Sequence, residues 1–276
     1  MAKLLITGAS GFLGESLTAK LSLTHDVLAV ARNEGKLLEL QGKYPSIRIF
    51  SGDIADRSVC EEITKGIDGV YHLAGFKHVR LAEEQPKECI STNTLGSKEL
   101  LTAISCRNVG FVIGISTDKA AQVAGVYGAS KLLMERLFKQ FEGFNPQTKF
   151  RIVRYGNVLG STGSVIPKWK ELLKRNEPIT LTDPTATRFY WTVDRAVDLI
   201  FECLAKARDS TPYCPRMKSV ALGTLAEAMV EKYGDGVYRV KEIGLQAGEN
   251  WAETLDGHTF SNEVPRFTKE EIMEMI

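Results

Sequence analysis

The chain has 276 residues, 43% of them hydrophobic and 25% charged, with a formal net charge of +1. That length predicts one large α/β unit with a smaller appendage, and the balanced charge argues against a nucleic-acid or other polyanion partner. No apolar run approaches the roughly 20 residues of a membrane helix. Lys3 leads into a Gly-rich turn and not into a secretory leader. Five cysteines without CxxC spacing read as free thiols, so a reducing, cytoplasmic setting is expected. Four histidines show no metal-ligand spacing, so no metal is expected.

In chain order, Lys3–Thr7 predicts a first strand and Leu13–Leu23 a first helix. The turn between them, with Gly8, Ser10, Gly11, Phe12, Leu13 and Gly14, has the spacing GxxGxxG. Glycines so placed let the backbone turn tightly and approach a pyrophosphate, which then rests on the free amides of the helix N-terminus. The spacing alone is weak, since a Gly-rich turn can merely pack helix on strand; the strand-turn-helix setting strengthens it. The second strand, Asp26–Ala31, ends at Arg32, where an Asp or Glu would normally hold the ribose of NAD. A guanidinium suits a phosphate, and Lys36 lies one helical turn further on, so NADP is expected over NAD.

A helix over Glu34–Gln41 and a strand over Ile47–Ser51 come next, and Asp53 and Ile54 then stand where an adenine ring would lie. After the helix Ser58–Lys65 and the strand Gly69–Leu73, the residues Leu73, Ala74 and Gly75 are placed to line a pyrophosphate and ribose. The remaining expectations are helices over Pro86–Ser105 and Tyr127–Phe141 and strands over Phe111–Ile115 and Lys149–Arg154. Six strands alternating with helices predict a doubly wound parallel sheet over residues 1–155, an NADP-binding domain. Beyond Tyr155 the alternation breaks into Gly-, Ser-, Pro- and Thr-rich loops around helices near Lys168–Arg175 and Val193–Ala207, with a short helical tail in Glu263–Ile276. Residues 156–276 are therefore expected to be mainly a small, irregular substrate-binding region, interleaved with the first.

Tyr127 and Lys131 form a YxxxK pair on one face of a helix. An ammonium near a phenol favours the phenolate, which can take a proton from a hydroxyl while hydride leaves the same carbon. YxxxK is common by chance; Ser116-Thr117-Asp118-Lys119, just past the fifth strand, gives it context, because strand ends converge on the crevice of such a sheet.

With these segments, and with Lys77-His78, Thr92-Asn93-Thr94-Leu95-Gly96, Arg154–Ser161, Gly163–Pro167, Thr182-Asp183-Pro184 and Thr187-Arg188-Phe189 in order along the chain, the sequence resembles the extended short-chain dehydrogenases/reductases. Among them it is similar to the inverting UDP-N-acetylglucosamine 4,6-dehydratases. The resemblance implies a Rossmann-type fold, a UDP-sugar substrate, a homo-oligomer and a redox-neutral cycle. Tyr127 takes the O4 proton, Thr117 steadies that oxygen, Lys119 removes the C5 proton and Asp118 protonates the departing C6 hydroxyl. It implies Asn93 and Lys131 beside the cofactor, Lys77 and His78 beside the sugar, Asn157 near the phosphates, Arg188 at the diphosphate or uridine, and Val165, Pro215 and Met217 around the uracil. An acid beside an amine separates the inverting class from 4-epimerases, whose corresponding residues are small, and from retaining dehydratases, with Asp-Glu. A 4-epimerase or reductase remains the alternative, followed by a non-catalytic NADP-binding protein. One stretch departs from the pattern: Gly-x-Arg-Pro-Gly-Glu-Lys is here Gly244-Leu245-Gln246-Ala247-Gly248-Glu249-Asn250, with two cations replaced by neutral amides.

Overall fold

The computed structural model describes residues 1–237 and 239–276. Six strands, β1 (Lys3–Thr7), β2 (Asp26–Ala31), β3 (Arg48–Ser51), β4 (Gly69–His72), β5 (Phe111–Thr117) and β6 (Lys149–Tyr155), pair in parallel in the order β3-β2-β1-β4-β5-β6. The chain winds from β1 out to β3 and then crosses back to β4. The winding direction thus reverses between β1 and β4, and a crevice opens at their carboxyl ends. This is the Rossmann-type α/β sheet that the alternating runs predict.

The helices of this part are α1 (Phe12–Leu21), α2 (Glu34–Lys43), α3 (Arg57–Ile63), α4 (Val79–Glu84), α5 (Pro86–Ile90), α6 (Ser97–Ser105) and α7 (Val126–Phe144). Then follow β7 (Asn157–Val158), α8 (Val165–Lys174), β8 (Ile179–Leu181), β9 (Thr187–Trp191), α9 (Val193–Lys206), β10 (Ser219–Ala221), α10 (Leu222–Tyr233), β11 (Val240–Glu242) and α11 (Lys269–Met275).

Strand residues alternate between two cores, which is why the strands read as almost continuous apolar runs. Leu4, Ile6, Val27 and Ala29 face α1, α2 and α9, whereas Leu5, Leu28 and Val30 face α3, α6 and α7. Val197, Leu199 and Ile200 of α9 are 0–1% exposed, and burying each such side chain is worth ~1.5–3 kcal/mol. A helix from beyond residue 156 is therefore part of the sheet's own packing. A third core, around Trp169, Leu225 and Met229, joins α8, α10 and α11. It lies beside two small sheets, β10-β9-β7 and β11-β8.

Four departures from the sequence reading stand out. Pro86–Ser105 is not one helix: a π-helical turn, Ser91–Gly96, separates α5 from α6. The helix α4 was not expected, being only six residues long. Nor were α10 and the short strands after β6, of two to five residues, too brief for period-2 alternation to register. The helical tail is confined to α11, which starts at a capping box of Thr268 and Glu271.

Candidate active site

The turn after β1 is shaped by backbone geometry. Gly8 has φ +72°, and a Cβ there would lie 2.7 Å from the Ala74 nitrogen. At Gly14 a Cβ would collide with the Gly8 carbonyl. Gly11 caps α1 without any side-chain hydrogen bond, so the first amides of that ten-residue helix stay free for a ligand oxygen. At the neighbouring strand end, Arg32 Nη1 lies 3.7 Å from Asp53 Oδ2, and both side chains are largely exposed. Lys36 and Lys77 line the same groove. Burial lowers the Lys77 ammonium from its ordinary range, and the Lys36 charge adds to the effect.

At the other end, β5 finishes in Thr117, and Asp118–Ala120 form a 3-10 turn. Asp118 is 1% exposed. Its Oδ1 accepts from Thr117 Oγ1 at 2.7 Å and from Lys119 Nζ at 3.1 Å. Burial alone would disfavour the Lys119 ammonium, but Asp118 and Glu253 outweigh it and push the group up. Burial lifts the Tyr127 phenol to about 12, against the pull of the Lys119 charge and then of the Thr117 hydroxyl.

The YxxxK spacing predicts Lys131 as the cation beside that phenol. Here the Lys131 ammonium instead donates to the Ile115 carbonyl at 2.9 Å and lies just beneath Gly75, where an added Cβ would be 3.1 Å from Nζ. The buried ammonium takes the nearest strand carbonyl, and Lys119 is left as the cation that most favours the phenolate. Burial brings Lys131 down to about 8.

These groups share one groove of about 890 Å³. Every residue proposed from the sequence lines it except Asn93, Pro215 and Met217. Asn93 is buried and acts as a strut: its Oδ1 accepts from Phe76 N at 2.7 Å and its Nδ2 donates to Phe76 O and Ser130 Oγ, which fixes the loop after Gly75. Met217 packs into the sheet core, as its apolar side chain dictates, and does not line the groove. Pro215 likewise stays outside the groove. Asn157 and Val165 line the groove, Lys77 Nζ reaches the Thr162 carbonyl at 2.7 Å, and the His78 ring lies against Gly163. Arg188 sits deeper than a diphosphate contact suggests. It is 7% exposed, donates from Nη1 to the Thr187 and Trp251 carbonyls, and turns Nε toward Glu253 at 3.8 Å.

Glu253 was missed. It lines the groove at 1% exposure with Oε1 3.5 Å from Lys119 Nζ. It lies three residues past the Gly244–Asn250 stretch, and no local pattern marks it. Gln246, singled out in that stretch, lies outside the groove and folds its amide back onto the Ile243 and Gly244 carbonyls.

Residues 4–274 match the family described as polysaccharide biosynthesis protein. The chain belongs to this family. A relative annotated only as an uncharacterized membrane protein, from Methanocaldococcus jannaschii, is 36% identical, covering 91% of this chain and 79% of its own. The inverting UDP-N-acetylglucosamine 4,6-dehydratase of Campylobacter jejuni and the UDP-glucose 4-epimerase of Rickettsia bellii are each 32% identical, over 91% of this chain and 76% of theirs. The crystal structure of Pen from Bacillus thuringiensis superimposes with a TM-score of 0.87 at 32% identity, covering 92% of this chain and 80% of that one. Among the described residues no helix is long and apolar enough to cross a membrane.

Proposed function

We propose that the chain is a sugar-nucleotide enzyme of the dehydratase/epimerase type, and specifically an NADP-dependent UDP-N-acetylglucosamine 4,6-dehydratase that inverts C5. The observation that carries this reading is the contact of Asp118, Lys119, Thr117 and Tyr127 at the reacting end of the groove. Elimination of water needs an acid for the departing hydroxyl and a base for the carbon proton, and this cluster holds both types of group. The named dehydratase relative supports the same choice.

The residues present fit a nicotinamide dinucleotide. Gly8 lets the turn after β1 pack directly on the Leu73–Ala74 backbone, with no space for a Cβ, and the free amides of α1 suit a pyrophosphate. Gly8–Gly14, Leu73–Gly75, Asp53, Ile54 and Lys131 would hold it, with Asn93 acting from behind the loop, and Arg32 and Lys36 would favour a 2′-phosphate. When bound, the cofactor supplies reversible acceptance of hydride from the sugar.

The chain's own residues then divide the proton work. Tyr127 takes the O4 proton, aided by the Lys119 charge, and Thr117 keeps O4 oriented. Lys119 takes the C5 proton, and Asp118 delivers one to the leaving hydroxyl. Asn157 and Val165, with Lys77 and His78 of the first part, would bound the substrate side, so residues 156–276 serve mainly the sugar nucleotide and 1–155 hold the cofactor and the reacting cluster. Incubation with UDP-N-acetylglucosamine in heavy water should yield a product lighter by one water, with deuterium at C5 in the proton spectrum. C4 inversion without loss of water would replace this reading by the epimerase that the Rickettsia relative is named for.

A further inference from the structure

The segment that follows β11 returns across the groove and is clamped on both sides of Glu253. Glu253 N donates to Ser261 Oγ at 2.9 Å, while Ser261 N donates to Glu253 O at 2.8 Å. Thr187 N donates to Trp251 O at 3.0 Å, and Arg154 Nη1 donates to Leu255 O at 2.9 Å. The carboxylate is thus aimed by the fold into the groove, where Lys119 Nζ stands 3.5 Å away and the Asn250 amide is a neutral polar neighbour. A buried carboxylate held only by long ion-pair contacts is costly to keep charged. A carboxylate kept only to balance Arg188 would be expected to hydrogen-bond to it; instead Nε stays 3.8 Å away and Nη1 is used on two carbonyls.

A proton inventory shows what Glu253 can do. Burial keeps Tyr127 a phenol and the facing carboxyl groups keep Lys119 an ammonium, whereas the proposed dehydration needs phenolate, acid and amine. Tyr127 can pass its proton through the Thr117 hydroxyl to Asp118, 2.7 Å further on. The Lys119 proton then needs an acceptor of its own, and the second carboxylate facing Nζ is Glu253. We infer that Glu253 is a positioning residue that takes the proton of Lys119 and so leaves Lys119 as the amine that acts on C5.

This role rests on the dehydratase reading. One proton moves from Nζ to Oε1, giving a neutral amine beside a neutral acid. Together with the transfer from Tyr127 to Asp118, it brings the closed groove to its working state without exchange with solvent. The charged groups acting on Glu253 are Lys119 and Asp118 from the turn after β5 and Arg188 from β9, with the Asn250 amide from its own segment; Tyr127, Tyr190 and Glu249 line the same groove. Burial favours the neutral acid at Glu253, while Lys119 and Arg188 oppose it. Asp118 and then Glu253 hold the ammonium, so protonating Asp118 loosens that hold.

The test compares Glu253→Gln and Glu253→Asp with the wild type. On mixing with UDP-N-acetylglucosamine, Glu253→Gln should still reduce bound cofactor to within about threefold of the wild-type rate, while water loss at pH 7 falls about 10²-fold. Its water loss should then climb about tenfold per pH unit, because Lys119 must shed its proton to solvent, whereas the wild type stays nearly flat. Glu253→Asp should recover part of the loss. In the free protein, labelling of Lys119 with a small amine-reactive reagent, read by peptide mass across pH, should titrate at lower pH in Glu253→Gln, since one facing carboxylate is gone. Water loss at the wild-type rate, equal loss of oxidation and elimination, or an unshifted Lys119 titration would each overturn the assignment. A wild type that leaves the sugar intact while the Lys119 titration still shifts would count against the dehydratase reading and leave the Lys119–Glu253 contact standing.

Discussion

At the phosphate end of the groove the site is made of backbone: a positive φ at Gly8, missing Cβ atoms and free helix amides, with the cations Arg32, Lys36 and Lys77 near solvent. At the reacting end it is made of buried charge. Asp118, Lys119, Arg188 and Glu253 come from three separate stretches of chain and meet with 1–14% of their side chains exposed. The first kind of site is stable wherever the local turn forms. The second exists only while the fold compensates each desolvated charge with another, so removing one member alters the protonation of the rest.

The sharpest way to break that contrast is at Tyr127 and Lys119. Tyr127→Phe should lose cofactor reduction and water loss together, by at least about 10³-fold. Lys119→Ala should keep reduction measurable as absorbance of the reduced cofactor but lose water release about as severely, although oxidation should slow somewhat because the charge favouring the phenolate is gone. Near wild-type water release from Lys119→Ala would remove it as the base.

A smaller effect, on stability, should appear at Lys131. Burial lowers this ammonium to about 8 from 10.5, so the folded chain holds the proton more weakly than the unfolded one. The penalty is full below about pH 8, shrinks as pH rises from 8 towards 10.5, and vanishes above that. Lys131→Met should therefore stabilise the chain by about 1–3 kcal/mol at pH 7, net of the bond lost to Ile115, and by much less near pH 10.5. Denaturant unfolding at the two pH values checks this, and an equal change at both would mean that packing and not charge dominates.

The smallest change is expected at the phosphate end, where Arg32 is exposed and Lys36 lines the same groove. Arg32→Ala should weaken NADP about tenfold and leave NAD nearly unchanged, as measured by titration calorimetry. Equal wild-type affinity for the two dinucleotides would remove the basis for expecting NADP.

The sheet was legible because its strands are buried on both faces and its turns carry glycine, both properties of adjacent residues. Strand boundaries fall within two residues of those expected. The break between α5 and α6 was not legible: Asn93 and Ser97 are helix-compatible in sequence, and the π-helical turn comes with side-chain bonds to Phe76 and to Asn93's own carbonyl. Nor was the position of Met217 in the core legible, since an apolar side chain in sequence does not say whether it packs inward or lines a groove.

By itself the sequence determined the doubly wound sheet, the dinucleotide-type turn and the identity of the groups at the end of β5, because each depends on residues a few positions apart. Tertiary structure alone decided that Lys119 and not Lys131 is the cation acting most strongly on Tyr127, that Arg188 turns inward, and that Glu253 faces Lys119 across 134 positions of chain. Charge interactions in a desolvated groove depend on distance in space, and a separation along the chain carries no record of it.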